Sequence, residues 1–429
     1  METTNTKANQ SGGLKLAHGS GSCTIVTQCQ VCSSTDLKSV LFLGYLPPVN
    51  KMCKAGSKPD EQPSYPAEML YCPKCHLAQL GLIVDPKILF PYEYPYTSST
   101  TKILRENFAE LYTDCTSYVS LTPNDLVVDI GSNDGNLLSN FVKKHKVLGV
   151  TPEEIGKIAI ERGIPTILDY FSEKVVKEIV AKEGKAKIVT ATNVFAHMEN
   201  IHEIVKSIMN LLTDDGVFIS ESHYLLPLVE TLQYDTVYHE HMRYYSLSSL
   251  KYLLEQHGLE VFHAKAIPTH GGSIRVYAGR KGKYKIQPSI AAQLEKEKQT
   301  ILGVDKLKLF KDKVVLSKLQ LLAMILEIKK AGKKIYGISA PSRASTLINY
   351  AGLDDGTIDY VLEISGSHKI GNYVPGTIIP IVEESILFTD QPEYALLFSW
   401  HIAEELAPKL RAKGFKGKFI VPLPEPCII

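Results

Sequence analysis

Two cysteine pairs, Cys29-Gln-Val-Cys32 and Cys72-Pro-Lys-Cys75, constrain this chain more than any other feature of it. The CxxC spacing lets two thiolates from one tight turn face a common ion. The stretch between the pairs is long enough to fold one onto the other. Four thiolates complete a tetrahedral shell and leave no open position for a substrate, so Cys29, Cys32, Cys72 and Cys75 are expected to hold one structural Zn2+. Free core thiols or a redox pair is the competing reading. The surrounding residues are rich in Cys, Pro and Tyr with short apolar runs, and such a lobe gains folding energy from its metal. Six of the eight cysteines fall between Cys23 and Cys75, with only Cys115 and Cys427 beyond. That clustering argues for metal rather than a disulfide framework, and Cys23 and Cys53 lack the paired spacing.

At 429 residues the chain has room for two or three domains. The pattern divides it into a leader over 1–22, a zinc-binding lobe over 23–100, a central unit over 101–285 and a C-terminal unit over 286–429. The leader is Thr/Ser/Asn/Gly-rich with no apolar core for a signal peptide, and is expected to be disordered. In the central unit Leu126–Ile130, Lys146–Val150, Ile188–Ala191 and Gly216–Glu221 read as buried strands between amphipathic helices, which predicts a parallel βαβ sheet. A long helical stretch, Ser289 to Lys330, opens the last unit. Lys334–Ile338, Asp359–Glu363, Tyr394–Phe398 and Lys418–Val421 then predict a second α/β sheet. A net charge of +1 gives no global reason to expect nucleic acid or an anionic membrane as partner. No apolar run approaches the roughly 20 residues of a spanning helix, so the cytoplasm is the expected compartment. A monomer is the default expectation.

The stretch Leu126-Val-Val-Asp-Ile-Gly131-Ser-Asn-Asp-Gly135 is a buried strand ending in a small-residue turn that opens a helix. Gly131 and Gly135 let the backbone approach a ligand closely. Asn133 stands where a dinucleotide fingerprint needs its second glycine. Asp129, Ser132, Asn133 and Asp134 therefore suit S-adenosylmethionine, which carries an ammonium and no phosphate. The second strand ends Gly149-Val-Thr151-Pro-Glu153, and either Thr151 or Glu153 is placed to meet the ribose hydroxyls. Farther along, Tyr234-Asp-Thr-Val-Tyr238-His239-Glu240-His241 concentrates ionisable and aromatic groups as a general base and its pocket require. Its histidines are two apart, which excludes the helical zincin spacing H-E-x-x-H.

Together these motifs resemble the sugar C-methyltransferase family, which modifies nucleotide-linked keto-deoxysugars. The resemblance runs from about Cys29 to Pro426. It rests on the cysteine pairs with Gly44-Tyr-Leu-Pro-Pro-Val-Asn50 between them, Ile130–Gly135, Asn193-Val-Phe-Ala-His197, Tyr234–His241, His270-Gly-Gly-Ser-Ile-Arg275, Pro375–Pro380 and Phe419–Pro424. It implies a class I methyltransferase core of Rossmann-like α/β fold, a zinc lobe, and a second Rossmann-like domain that closes over the substrate. The implied reaction is C-methylation beside a ketone. His241 would remove the proton, and Tyr238, Glu240 and His197 would line the site, with Glu240 or a tyrosine fixing the tautomer of the base. Asn193 would join the cofactor site. Tyr94, Tyr96, His270, Arg275 and Arg343 would meet the substrate.

The chain departs from the family pattern at several points. Thr151 stands in place of an acid, Arg343 in place of a frequent Lys, and His401 in place of a frequent Asn; Ser365–Lys369 replaces a proline-containing turn. The competing functions are an O- or N-methyltransferase of the same fold, an NAD-dependent sugar-nucleotide enzyme, and a zinc-ribbon binding protein. The last two are disfavoured by the broken glycine spacing and by the histidine cluster.

Overall fold

A computed structural model describes residues 23–89, 98–152 and 154–429, together with the backbone of Lys15–Leu16. Tyr94, Tyr96 and Glu153 lie outside the described residues, as does most of the leader; Lys15–Leu16 pairs with Thr24 and Ile25 as a two-residue strand.

The apolar runs of the central unit all become strands, because each is flanked by turn residues and too short for a buried helix. They form one seven-stranded sheet in the order Leu259–Ile267, Ser273–Arg280, Leu212–His223, Ala186–Thr192, Leu126–Ile130, Lys146–Val150, Thr166–Ile167. Ser273–Arg280 pairs antiparallel with both its neighbours, and the other pairings in the sheet are parallel. This is the class I methyltransferase arrangement. The chain turns one way from Leu126–Ile130 to Lys146–Val150, and the other way to Ala186–Thr192. The crevice beyond the carboxyl end of Leu126–Ile130 is therefore the topological switch point, where α/β sheets bind ligands.

The C-terminal unit repeats the logic. Its sheet runs Ile381–Glu383, Tyr360–Glu363, Ile335–Ile338, Tyr394–Leu397, Lys418–Val421, Cys427–Ile428, parallel except for the last strand. Its own switch point follows Ile335–Ile338 and leads into the helix Ser342–Ala351. The helical stretch before it is broken into Pro288–Thr300 and Val304–Lys330. Gly303 lies between them at a φ of +127°, a conformation that ends a helix and that other residues rarely adopt.

The cysteine-rich lobe contributes the strands Lys38–Leu46, Tyr65–Tyr71 and Ala78–Leu80 to a four-stranded sheet. The fourth strand, Arg243–Tyr244, comes from the central unit, two residues after His241; Arg243 pairs with Gln79 and Tyr244 with Ala78. The lobe is thus joined by backbone hydrogen bonds to the segment that carries the histidine motif.

Candidate active site

The two cysteine pairs converge. Cys29 and Cys75 Sγ are 3.3 Å apart, Cys32 and Cys72 Sγ are 3.4 Å apart, and all four lie within 4.8 Å of one another. Thiolates about 2.3 Å from a tetrahedral zinc stand about 3.8 Å from each other, so the cluster fits the ion. Three of the four cysteines are buried, which suits a closed structural site.

The glycine loop lies at the switch point. Gly131 has a φ of +72°, and a Cβ on it would stand 2.3 Å from Val194, so only glycine fits. Ser132 Oγ is buried without a partner in the structure, and faces the space left by the missing side chain of Gly149. A free hydroxyl beside a side-chain-free loop fits a polar, closely held cofactor. Asp129 is buried below the loop, where Thr190 donates to it at 2.6 Å and desolvation pushes its carboxyl up to about 7. Asp134 is committed elsewhere, accepting from Ser98 at 2.7 Å and Arg162 at 2.9 Å. Asn133 Oδ1 accepts from the Ser98 amide, so this loop is latched to the chain that enters the helix Lys102–Tyr118. Asn193 follows the adjacent strand at a φ of +58°, with its amide bonded to Glu221. Thr151 is fully buried at the end of the second strand.

Beside this crevice the histidine motif folds as a short helical turn, Tyr234–Thr236, followed by an irregular segment. His241 Nδ1 is 3.0 Å from the Thr236 carbonyl. A carbonyl only accepts, so Nδ1 carries the hydrogen and the lone pair is on Nε2. The tautomer is therefore set by a backbone group, not by Glu240 or a tyrosine as expected. Desolvation, together with the neighbouring His197 and His223, holds the His241 imidazole well below its usual range, so it is neutral. The Tyr238 ring centroid is 4.4 Å from that of His241 and the His197 centroid is 5.1 Å away. His197 Nδ1 is hydrogen-bonded to the Glu240 carbonyl at 2.6 Å. Burial and the nearby Glu240 raise the Tyr238 phenol well above 10, so it keeps its proton. Glu240 turns away from His241 and accepts from Asn50 Nδ2 of the cysteine-rich lobe at 2.6 Å; burial pushes it up to about 7. His239 points the other way, against Tyr65 and the Pro66 carbonyl, and is structural.

A third wall comes from the C-terminal unit. Arg343 Nη1 is 2.8 Å from His401 Nδ1. His270 is exposed in the turn Thr269–Gly271, at a φ of +57°. The His223 ring centroid is 6.4 Å from that of His241, and its Nε2 lies 3.1 Å from Gln233 Oε1, which Arg343 Nη2 approaches to 3.5 Å, so His223, Arg343 and His401 gather beside His241. Arg275 does not belong there. It is wholly buried, and its guanidinium is taken up by Glu221 at 2.6 Å, Glu110 at 2.6 Å and Asn107. The expected substrate contact is replaced by an ion-pair hub that ties the helix Lys102–Tyr118 to the sheet. Sequence reasoning missed Asn50, His223 and Asp235. Of these, Asn50 ends the motif Gly44–Asn50 and Asp235 lies within Tyr234–His241, so only these two carried a local signal.

Three family models match successive parts of the chain: a zinc binding domain over residues 29–90, a methyltransferase domain over 104–264, and a C-methyltransferase C-terminal domain over 268–424. Over 411 residues the chain is 32% identical to the C-methyltransferase NovU of Streptomyces niveus, covering 94% of this chain and 97% of that one. Among solved structures, a protein of Pyrococcus horikoshii OT3 matches at 15% identity over 46% of this chain and 98% of its own, with a TM-score of 0.36. A SAM-dependent methyltransferase from Archaeoglobus fulgidus matches at 15% identity over 41% and 93%, with a TM-score of 0.34. The chain belongs to the C-methyltransferase family. It is a SAM-dependent C-methyltransferase whose four-cysteine cluster is a structural zinc site. Among the described residues no helix is long and apolar enough to cross a membrane.

Proposed function

We propose that the methyl acceptor is the carbon beside the ketone of a nucleotide-linked keto-deoxysugar, and that His241 removes its proton. The observation that carries this reading is the fixed tautomer of His241. Its Nδ1–H is spent on the Thr236 carbonyl, which leaves the Nε2 lone pair for a substrate proton. A C–H beside a ketone is acidic only if the developing oxygen charge is stabilised. Tyr238 supplies a phenol that stays protonated and lies against the His241 ring. Nε2 takes the proton, the C–H electrons move toward the ketone oxygen, and the Tyr238 hydroxyl donates to that oxygen. His197, whose Nδ1–H is taken by the Glu240 carbonyl, packs beside His241 as part of the pocket wall. When bound at the glycine loop, adenosylmethionine supplies an electrophilic methyl on a positively charged sulfur. Holding the carbon and the methyl in line contributes several kcal/mol, up to about 7–11 in the best cases.

Residues 286–429 act as the closing unit: His401 and, from just before that unit, His270 present hydrogen-bonding groups to the sugar and its nucleotide, while Arg343 positions His401 through Nη1 and holds the unit to Asp235. The test uses deuterated water and adenosylhomocysteine in place of the methyl donor. The wild-type enzyme should exchange the proton beside the ketone, and His241→Asn should lose exchange and methylation while keeping adenosylhomocysteine affinity. Exchange at the wild-type rate in His241→Asn would transfer the role of base to another group.

A further inference from the structure

The helix Val304–Lys330 has two apolar faces. One, carrying Leu307, Phe310, Val314, Leu321, Ile325 and Ile328, is buried against the body of the protein. On the opposite face Leu309, Leu316, Leu319 and Leu326 are each more than half exposed. Scattered exposed leucines need no explanation, but four in register along one helix do. They fall on the two ladders of a heptad: 309, 316, 323 and 330 on one, 305, 312, 319 and 326 on the other. Read along the seam, these positions are Asp305, Leu309, Asp312, Leu316, Leu319, Ala323, Leu326 and Lys330.

This seam is complementary to its own reverse. If a second copy of the helix is laid antiparallel about a two-fold axis passing between Ser317 and Lys318, Leu316 meets Leu319 of the second copy and Leu309 meets its Leu326. Asp312 meets its Ala323, which is small enough to leave the carboxylate at the rim. At each end Asp305 meets Lys330 of the second copy. A parallel pairing would instead place each aspartate against itself and Lys330 against itself, so the charges select the antiparallel arrangement. Both end groups are free to take part: Asp305 and Lys330 make only exposed contacts within their own helix, with Lys308 and Glu327. Such exposed pairs are weak and exchange readily.

We infer that the enzyme forms a two-fold homodimer through this face, the occupant of the leucine stripe being the same stripe of a second copy. An antiparallel contact over 26 residues is about 39 Å long, enough for several layers of interlocking side chains. The arrangement is isologous, so it closes on itself and leaves no free edge.

The test is light scattering on the full chain across a concentration series. The expected mass is twice the 47.6 kDa of one chain. Leu316→Glu with Leu319→Glu should weaken the dimer more than about tenfold, since each leucine layer loses its burial. Both positions are exposed, and unchanged circular dichroism should show that the fold is kept. Asp305→Lys alone should weaken the dimer by placing like charges at both ends, and Asp305→Lys with Lys330→Asp should restore it. A mass of one chain at every concentration would overturn the inference and assign the stripe to a different occupant, such as a lipid surface or another protein. A dimer indifferent to the double glutamate variant would overturn it equally, by placing the interface elsewhere.

Discussion

Arg343 clasps Asp235, with Nε 2.8 Å from one carboxylate oxygen and Nη2 2.9 Å from the other. The arginine is in the first turn of Ser342–Ala351 in the C-terminal unit, and the aspartate lies six residues before His241. Trp400 Nε1 adds a third donor to the same carboxylate at 2.8 Å, and the guanidinium lies 5.1 Å over the indole. Asp235 is wholly buried and Arg343 nearly so. The C-terminal unit therefore reaches the histidine segment through a desolvated, fork-shaped ion pair, while Asn50 reaches the same segment from the cysteine-rich lobe.

Breaking that pair from one side should be costly. Asp235→Asn leaves a buried guanidinium without its counter-charge and should lower stability by about 3–5 kcal/mol, read as a fall in the thermal midpoint. Arg343→Lys keeps the charge but loses the two-point grip. It should raise KM for the sugar substrate at unchanged adenosylhomocysteine affinity. Unaltered KM and stability in both variants would mean that the pair positions nothing.

Zinc should control catalysis through position. Cys75 lies three residues before Ala78, whose strand pairs with Arg243–Tyr244, just after His241. Purified protein should contain about one zinc per chain, as a single four-thiolate site requires. Cys72→Ser with Cys75→Ser, or prolonged chelation, should remove the ion and abolish methylation. The glycine loop stands on a separate sheet, so cofactor affinity should fall much less. Full activity in zinc-free protein would refute the link between the lobe and the base.

Acid should destabilise the fold over a defined window. Burial lowers His223 and His239 to about 4 and His401 to about 3, from an ordinary 6.5. The unfolded chain then binds more protons than the folded one between about pH 6.5 and 4, so stability rises with pH across that range and is lost as pH falls. Asp129 and Glu240, each raised to about 7, act in the opposite sense but are fewer. The urea midpoint should therefore drop steeply between pH 6.5 and 4. A flat profile would show that the histidines are solvated.

The strands and the zinc cluster were legible in the sequence because each depends on local spacing. Leu126–Ile130, Lys146–Val150 and Lys418–Val421 have the expected bounds, and the cysteine pairs converge as their spacing required. What the sequence hid is long-range. Asn50 and Glu240 meet across 190 positions, and Arg343 and Asp235 across 108. Arg275 shares a motif with His270, yet strand alternation and the carboxylates behind the sheet draw it into the interior. The carbonyl that fixes His241 belongs to Thr236, whose side chain gives no sign of the role.

The pH profile of methylation should have two limbs with different owners. His241 is competent only when neutral, and its imidazole titrates well below 6.5, so its limb lies on the acid side. Glu240 titrates near 7, and its charge acts on Tyr238, raising the phenol further. A carboxylate beside the phenol that stabilises an enolate opposes the new negative charge, so the neutral form of Glu240 is the more active one. Activity should then decline as pH rises through about 7. Glu240→Gln, which is neutral throughout, should lose that decline while keeping the acid limb. Asn50→Leu removes the donor that favours the ionised carboxylate, so it should move the alkaline limb upward. The measurement is kcat/KM from pH 5.5 to 9 for the wild type and both variants. An alkaline limb that persists unchanged in Glu240→Gln would assign it to another group and remove Glu240 from the electrostatics of the reaction.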